Sequence, residues 1–458
     1  MTELDNQWFG KDMVIMTKQL KYLLATSWFI TLFASLNINM FNLGIPQISQ
    51  DFHLNSSEAS WIASGFVLCT GISAIIFGKL ADIYPTRRLM IIGISLLAAG
   101  SLIGLFSPNY WMVIVGRMLQ GAGAGSFPSV SMVMAAKFYP AEKRGLFIGI
   151  VMSSITFGAG FGPLIGGYLT HLLGWRVLFA LSLFSVIGVP LLLKFTPKET
   201  ISKGQIDILG AIYCALSALF LLLGIQTHLG FFVLAILFGI IMIWHSKRCK
   251  DPFIRIGIFK NIPYSMSIIM VFLVNLTHIA TFFVLPLMLI HVNDLNEAWT
   301  GLIIFPGAIF SAFAGSTIGK LTDAYGPTLM VRWATLSMTT IFFIISILVG
   351  QSYIWITLAI LLEYTAYSIN QVAISSFVSK ILDFEEVGAG MGMMNLFLYI
   401  GMAIGTAIFG KILTADMGKW NPLNNSDFYS YSNAFLLLSL LILSVLFFSF
   451  IAKRTAKE

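Results

Sequence analysis

Gly78-Lys79-Leu80-Ala81-Asp82-Ile83-Tyr84 is repeated later in the chain as Gly319-Lys320-Leu321-Thr322-Asp323-Ala324-Tyr325. Each copy lies in a polar break between two long apolar stretches. The chain therefore reads as two related membrane halves, an internal repeat of the kind from which many transporters are built.

The composition around these phrases agrees. With 458 residues, 57% hydrophobic and 10% charged, the chain lacks the polar surface that a soluble protein of this length needs. Apolar runs long enough to cross the hydrocarbon core recur about fourteen times. The expected spans are 22–46, 58–80, 89–107, 110–136, 145–170, 175–195, 206–226, 229–246, 263–290, 299–319, 329–349, 353–379, 388–414 and 433–452.

The net charge of +7 is spread over many short loops rather than gathered in one patch, so it reads as membrane topology and not as a nucleic-acid surface. With a cytoplasmic amino terminus, nearly all of the 27 Lys and Arg fall on the cytoplasmic side. Arg176, Lys411 and Lys419 would be external, and Arg117 lies inside a span. An even number of spans places both termini in the cytoplasm, and no cleaved signal peptide is expected. The three cysteines, Cys69, Cys214 and Cys249, are scattered, and the six histidines show no ligand spacing, so no disulfide framework, metal or cofactor is expected. Without a phosphate-binding loop or nucleophile elbow, an enzyme and a pump with its own ATPase are both disfavoured.

The spans group as six, two and six. Residues 1–200 form an expected N-terminal six-helix bundle, 201–260 two inserted helices and a basic linker, and 261–458 a C-terminal six-helix bundle. The repeated phrase follows the second span of each six-span group, as symmetry requires. The external loop 415–432, rich in Asn, Ser, Asp and Tyr, is expected at the surface.

These motifs resemble the major facilitator superfamily, and within it the fourteen-span drug/proton antiporters that include the tetracycline exporters. Gly78-Lys79-Leu80-Ala81-Asp82 with Arg87 and Arg88 is similar to the family's cytoplasmic loop motif, with Pro85 replacing one glycine. The resemblance implies that Asp82, Arg87, Arg88 and Asp323 gate the inward face; the alternative is a solvated turn. Gly116-Arg117-Met118-Leu119-Gln120-Gly121 resembles the fourth-span motif, which implies a part for Arg117 in proton coupling, against a structural hydrogen-bonding role. An arginine at that depth must face protein or water, since lipid exposure costs at least about 2.5 kcal/mol. Gly158-Ala159-Gly160-Phe161-Gly162-Pro163-Leu164-Ile165-Gly166-Gly167 is similar to the antiporter motif of span five. Its glycines admit close helix packing and Pro163 removes a helix hydrogen bond, so Gly158, Gly162, Pro163, Gly166 and Gly167 are the expected pivot. Glu142-Lys143-Arg144-Gly145, Gly174-Trp175-Arg176, Lys203-Gly204-Gln205-Ile206-Asp207, Lys260-Asn261-Ile262-Pro263, Ile304-Phe305-Pro306-Gly307 and Glu386-Val387-Gly388-Ala389-Gly390-Met391 extend the likeness along nearly the whole chain.

The departures matter as much. The family's Asp-x-Thr-x-x-Asn in the first span is Asn37-Ile38-Asn39-Met40-Phe41-Asn42 here, and the tetracycline exporters' acids before Gly162 and near Gly401 are absent. Glu363 is the acid that remains at mid-membrane, roughly 15 Å from either end of its span. With Tyr367, Asn370 and Gln371 it forms a polar stripe expected to line a central cavity. A carboxylate there can carry a proton because it can change charge while facing a cavity; the alternative is a permanently protonated packing residue. Asn39, Asn42, Asn275, His278, Asn395 and Tyr399 are further cavity candidates, each with a helix-to-helix hydrogen bond as the alternative. Asp207 resembles an acid of the tetracycline exporters or is a helix cap.

The expectation is an all-α integral membrane protein with the major facilitator fold and fourteen transmembrane helices. It would export hydrophobic or amphiphilic drugs from the plasma membrane in exchange for protons, a drug-efflux activity of the antibiotic-resistance type. Its partners would be substrate, protons and the bilayer, with no nucleic acid, and it would be a monomer. The alternatives are export of a lipid, fatty acid or other neutral or anionic metabolite, and a non-transporting membrane sensor.

Overall fold

The computed structural model describes residues 4–455 except 140, 200–206, 250–251, 383, 416–417 and 425, and leaves the side chains of 4–17, 82, 141–146, 312, 316, 384–385 and 387–389 undescribed. The phrase Lys203-Gly204-Gln205-Ile206 and the side chains of Asp82, Glu142-Lys143-Arg144-Gly145 and Val387-Gly388-Ala389 therefore lie outside the described residues.

Among the described residues all regular structure is helical. The first group comprises α1 (Leu4–Asp51), α2 (Ser56–Ile83), α3 (Thr86–Leu105), α4 (Tyr110–Ala124), α5 (Ser126–Phe138), α6 (Ala141–Leu173), α7 (Arg176–Ser182) and α8 (Gly188–Phe195). Next come α9 (Ile208–Gln226) and α10 (Phe231–Arg248), and then α11 (Ile262–Asn293), α12 (Glu297–Tyr325), α13 (Pro327–Leu348), α14 (Tyr353–Ile381), α15 (Phe384–Thr414) and α16 (Tyr429–Thr455). Asparagines start several of them by accepting a bond from the first turn's orphan amides. Asn55 and Glu58 form a reciprocal capping box, and Asn109, Asn261 and Asn296 cap α4, α11 and α12.

Among the described residues, twelve helical stretches are long and apolar enough to cross a membrane. Two of the expected spans fall outside that set. Residues 110–136 are divided into α4 and α5 at Gly125, where a Cβ would meet Ser73 and the Thr70 carbonyl of α2. Helix α14 is long enough at 29 residues but carries Glu363, Asn370 and Gln371 along its length.

The repeated phrases are not breaks. Gly78 to Ile83 completes α2, and Gly319 to Tyr325 completes α12. Each phrase opens on a glycine held inside its helix and neither contains proline; the chain turns only at Tyr84-Pro85 and at Gly326, whose φ of +85° suits glycine. The loop 415–432 also differs from its expected surface position. Its Asn421 and Asn424 are buried, and their amides donate to the carbonyls of Ser346, Ile347 and Val349, closing the C-terminal end of α13.

Helices α1–α8 pack mainly on one another, as do α11–α16. Between the groups α6 lies on α12 and α2 lies on α15, while α9 and α10 pair at the side with α9 against α2 and α15. Among the described residues the contact between the groups is tightest at one end. There a Cβ on Gly167 would strike the Glu297 carbonyl, one on Gly301 the Pro163 carbonyl, and one on Gly410 would lie 2.6 Å from Ser60 Cβ. His171 Nδ1 also lies 3.5 Å from Glu297 Oε2 across this seam. Towards the other end, Gly149, Gly315, Gly319 and Gly392 have no atom within 4 Å of an added Cβ. The two groups therefore meet at the end that carries Ser56 and Glu297 and part toward the end that carries Lys79 and Lys320.

Candidate functional site

Among the described residues, three clusters of buried polar side chains hold most of the candidate site residues. The first lies in the N-terminal group, on α4. The Arg117 guanidinium is 1% exposed and is sandwiched between the rings of Phe41 and Phe66, 4.0 and 4.1 Å from their centroids. Its Nε donates to the Ile62 carbonyl at 3.1 Å, and its Nη1 donates to Gln120 Oε1 at 3.0 Å and to Asn37 Oδ1. Asn37 in turn donates to Ser182 at 2.7 Å, and Gln120 to Ser101 at 2.8 Å. The partners of Arg117 are thus neutral dipoles and aromatic faces. Asn37 touches it directly. A cation held this way is locked by geometry, since a planar guanidinium stacks on rings while donating in its own plane.

The second cluster lies between α11 and α14. Glu363 is fully buried, and its Oε1 is 2.9 Å from His278 Nδ1. Among the described residues its Oε2 has no hydrogen-bond partner, nor has the neighbouring Tyr364 hydroxyl. The His278 ring lies flat on Tyr367, with centroids 3.4 Å apart and 5° between planes, and presents its edge region to Phe282 and Tyr364. Tyr367 donates to Asn275 Oδ1 at 2.9 Å, and Gln371 donates to both Asn275 Oδ1 and the Tyr367 hydroxyl. Asn275 also donates back to the Val271 carbonyl of its own helix.

The expected stripe on α14 is therefore split. Asn370 faces α13, where its Oδ1 accepts from Thr335 and its Nδ2 reaches Met338, and it takes no part in the Glu363 cluster. At about 100° of rotation per residue, Asn370 and Gln371 lie on opposite edges of the stripe, so two different neighbours claim them. Among the described residues Glu363 and Arg117 share no partner; each belongs to the network of its own helix group.

The remaining cavity candidates are dispersed. Asn39 is half-buried and donates to the Ser35 carbonyl one turn back, at 2.8 Å. Asn42 is buried, with its amide nitrogen unpartnered among the described residues. Asn395 is exposed, whereas Tyr399 is half-buried against Gly71 of α2. The pivot glycines form two seams on α6. Gly158, Gly162 and Gly166, spaced four apart, face Ser35, Asn39 and Met40 of α1, while Gly160 and Gly167 face Ile309 and Glu297 of α12. Pro163 sits inside the continuous α6.

The third cluster is at the linker end. Asp207 caps α9, accepting from Gly210 N–H at 2.8 Å with Oδ1 and from Phe253 N–H at 2.7 Å with Oδ2. His245 Nε2 of α10 lies 2.7 Å from the same Oδ1. Burial alone would raise the Asp207 pKa, but the Phe253 and Gly210 amides and the His245 ring together hold it below the usual carboxylate range. Lys79 joins this region to the repeated phrase by donating to the Pro252 carbonyl at 2.7 Å and approaching the Phe253 ring. Nearby, Glu199 caps α3 through the Thr86 N–H and hydroxyl and pairs with Lys137 at 3.0 Å. Arg87 is half-buried, and Arg88 and Asp323 are exposed.

Sequence reasoning put Glu363 and Tyr367 on one helix stripe and Asn275 and His278 one turn apart on another helix, without joining the two. It missed Phe282, one turn from His278, and Tyr364, adjacent to Glu363. It also missed Glu199, whose position in a polar loop gave no signal, and the pairing of Asp207 with His245.

Comparison with known proteins places this architecture. Residues 27–406 match the family model described as Major Facilitator Superfamily. The uncharacterized MFS-type transporter YcnB of Bacillus subtilis is 27% identical, with 92% of each chain covered. The lincomycin resistance protein LmrB of Listeria monocytogenes is also 27% identical, over 84% of each chain. The riboflavin transporter RibZ of Clostridioides difficile is 23% identical over 89% of this chain and 90% of its own. Among solved structures, a bacterial homolog of the human lysosomal transporter Spinster, in an inward-facing and unoccupied conformation, superposes with a TM-score of 0.70 at 13% identity. That likeness covers 96% of this chain and 98% of that one, and shows the fold alone. This multi-pass membrane chain, whose family is one of transporters rather than enzymes, belongs to the Major Facilitator Superfamily of secondary transporters.

Proposed function

We propose that the protein exports hydrophobic or amphiphilic compounds across the plasma membrane in exchange for protons, by alternating access, with Glu363 and His278 as the proton-carrying pair. The observation that carries this reading is the buried carboxylate that spends one oxygen on an imidazole and leaves the other unpartnered among the described residues. One proton shared by the pair leaves it without net charge. Its departure leaves a net negative charge, which low-dielectric surroundings disfavour until water or a counter-charge arrives. Such a pair holds its proton while occluded and yields it when its side of the molecule opens. The Tyr367, Asn275 and Gln371 hydrogen bonds fix the Tyr367 ring on which the imidazole stacks, and the buried rings of Phe282 and Tyr364 form an apolar, adaptable wall that a substrate meets once the site opens.

In this reading α4 with α5, and α14, also cross the bilayer, giving fourteen spans with both termini cytoplasmic. The end where the helix groups part is then the cytoplasmic mouth, so the structure is inward-open. Asp82, Arg87, Arg88 and Asp323 close that mouth in the opposite state, and the α6 glycine seams carry the rocking motion. Arg117 holds the N-terminal group rigid rather than exchanging a proton. Antiport of the drug class is supported by the lincomycin resistance relative and by the glycine-proline motif of α6.

A second reading, export of a neutral or anionic metabolite, is supported by the riboflavin transporter relative and by Asn37 in place of an acid. The test is substrate-triggered pH change inside reconstituted vesicles, using drugs, cationic dyes, flavins and fatty acids, with wild type beside Glu363→Gln. Proton movement with drugs and dyes, lost in the variant, is the expected result. Flux of flavins or fatty acids alone favours the second reading, and flux without any proton signal overturns antiport.

A further inference from the structure

The Asp207 cap makes full use of two side chains, yet a third ligand-type atom stands beside them. Cys249 follows His245 by four residues, which places both on one face at the end of α10. One ligand atom each from Asp207, His245 and Cys249 lies within 4.8 Å of the others. We propose that these three residues form a binding site for a thiophilic divalent cation such as Zn²⁺.

The donor set is the argument. A carboxylate, an imidazole and a thiol suit a borderline-soft ion, whereas Mg²⁺ and Ca²⁺ prefer oxygen alone. In a tetrahedral zinc site neighbouring oxygen and nitrogen ligands are separated by roughly 3.3 Å, given metal–ligand distances of about 2.0 Å. The present Asp207–His245 distance of 2.7 Å is that of a hydrogen bond, so the ion takes the place of the bridging proton, which leaves to solvent while the neutral ring keeps a proton on Nδ1, and the two groups part by about half an ångström. The thiol loses its proton to solvent on binding, and the fourth position falls to water. Asp207 is already oriented for the purpose, because the Gly210 and Phe253 amides fix both of its oxygens from behind. His245 and Cys249 are half-buried, which leaves a path for the ion.

Nothing in the cap itself requires the thiol; a serine or alanine at 249 would leave every hydrogen bond of Asp207 intact. The site also has a mechanical setting. Asp207 Oδ2 holds Phe253, and Lys79 of the repeated phrase holds Pro252, so the ion would stiffen the contact between the inserted helices and the end of α2.

The experiment is Co²⁺ titration of the purified full-length protein in detergent, read by absorption. Wild type should show tetrahedral d–d bands and a thiolate-to-cobalt charge-transfer band, which added Zn²⁺ abolishes. Cys249→Ser should lose the charge-transfer band while eluting as the same monodisperse peak, and His245→Gln should weaken binding. Cys69→Ser and Cys214→Ser, both within membrane helices, should keep the band. Absence of the band in well-folded wild type, or its persistence in Cys249→Ser, overturns the proposal.

Discussion

The imidazole Nδ1 of His278 on α11 lies 2.9 Å from Oε1 of Glu363 on α14, with both side chains buried. The contact joins two helices at the level where charge is least tolerated. His278→Ala removes the only described hydrogen-bond partner of the carboxyl group. Loss of one buried, charge-assisted hydrogen bond of roughly 1.5–3 kcal/mol should reduce proton-coupled flux about tenfold or more. Measured in vesicles across a range of pH, flux in His278→Ala equal to wild type at every pH would remove histidine from the coupling pair.

Arg117 offers a contrasting test. Arg117→Lys retains the charge but loses the planar stack between Phe41 and Phe66 and the in-plane donation to Ile62, Gln120 and Asn37. The expected destabilisation is roughly 2–4 kcal/mol. A thermal-unfolding midpoint unchanged from wild type would contradict the locking role. Asn37→Asp, which places an acid at this contact, should make the protein's stability depend on pH in a way that wild type does not.

The α6 seam can be read by glycine substitution. A Cβ on Gly166 would lie 2.5 Å from the Met40 carbonyl oxygen, a backbone atom that cannot turn aside. Gly166→Ala should lower stability by about 1–3 kcal/mol. Gly149→Ala on the same helix meets nothing within 4 Å and should be neutral or stabilising by up to about 1 kcal/mol. Equal effects at the two positions, by thermal unfolding, would mean that the seam does not decide the packing.

Asp207 predicts a pH dependence. Its pKa is lowered in the folded protein from the ordinary 3.8, so its stabilisation is fully present above that value and is lost as pH falls through the lower folded value. Asp207→Asn, compared with wild type in chelator-containing buffer, should be less stable by about 1–3 kcal/mol near neutrality. The gap should close below pH 3.8. A gap that stays constant down to strong acid would show that the charge of Asp207 does not contribute.

Much of this was legible in the chain. The membrane class and the approximate helices follow from apolar runs that only a bilayer can accommodate. The family follows from residue patterns spread along almost the whole length, the repeated Gly-Lys-Leu phrase among them. Glu363 was conspicuous because an acid is rare in such a run. Local pattern misplaced the breaks, however, since polarity at Gly78 and Gly319 is compatible with a last helical turn. It also could not foresee that Asn421 and Asn424 would be drawn inward by open carbonyls at the end of α13.

The sequence by itself determined that the chain is an all-α membrane transporter, because hydropathy and motif spacing act along the chain. Tertiary structure alone decided which polar groups meet. It gave Glu363 to His278 and left Arg117 to Asn37, sent Asn370 to α13, and brought Asp207 to His245 and Cys249. The reason is that a buried polar side chain must find its partner on whichever helix packs against it. That neighbour is set by ridge-and-groove packing between segments far apart in sequence.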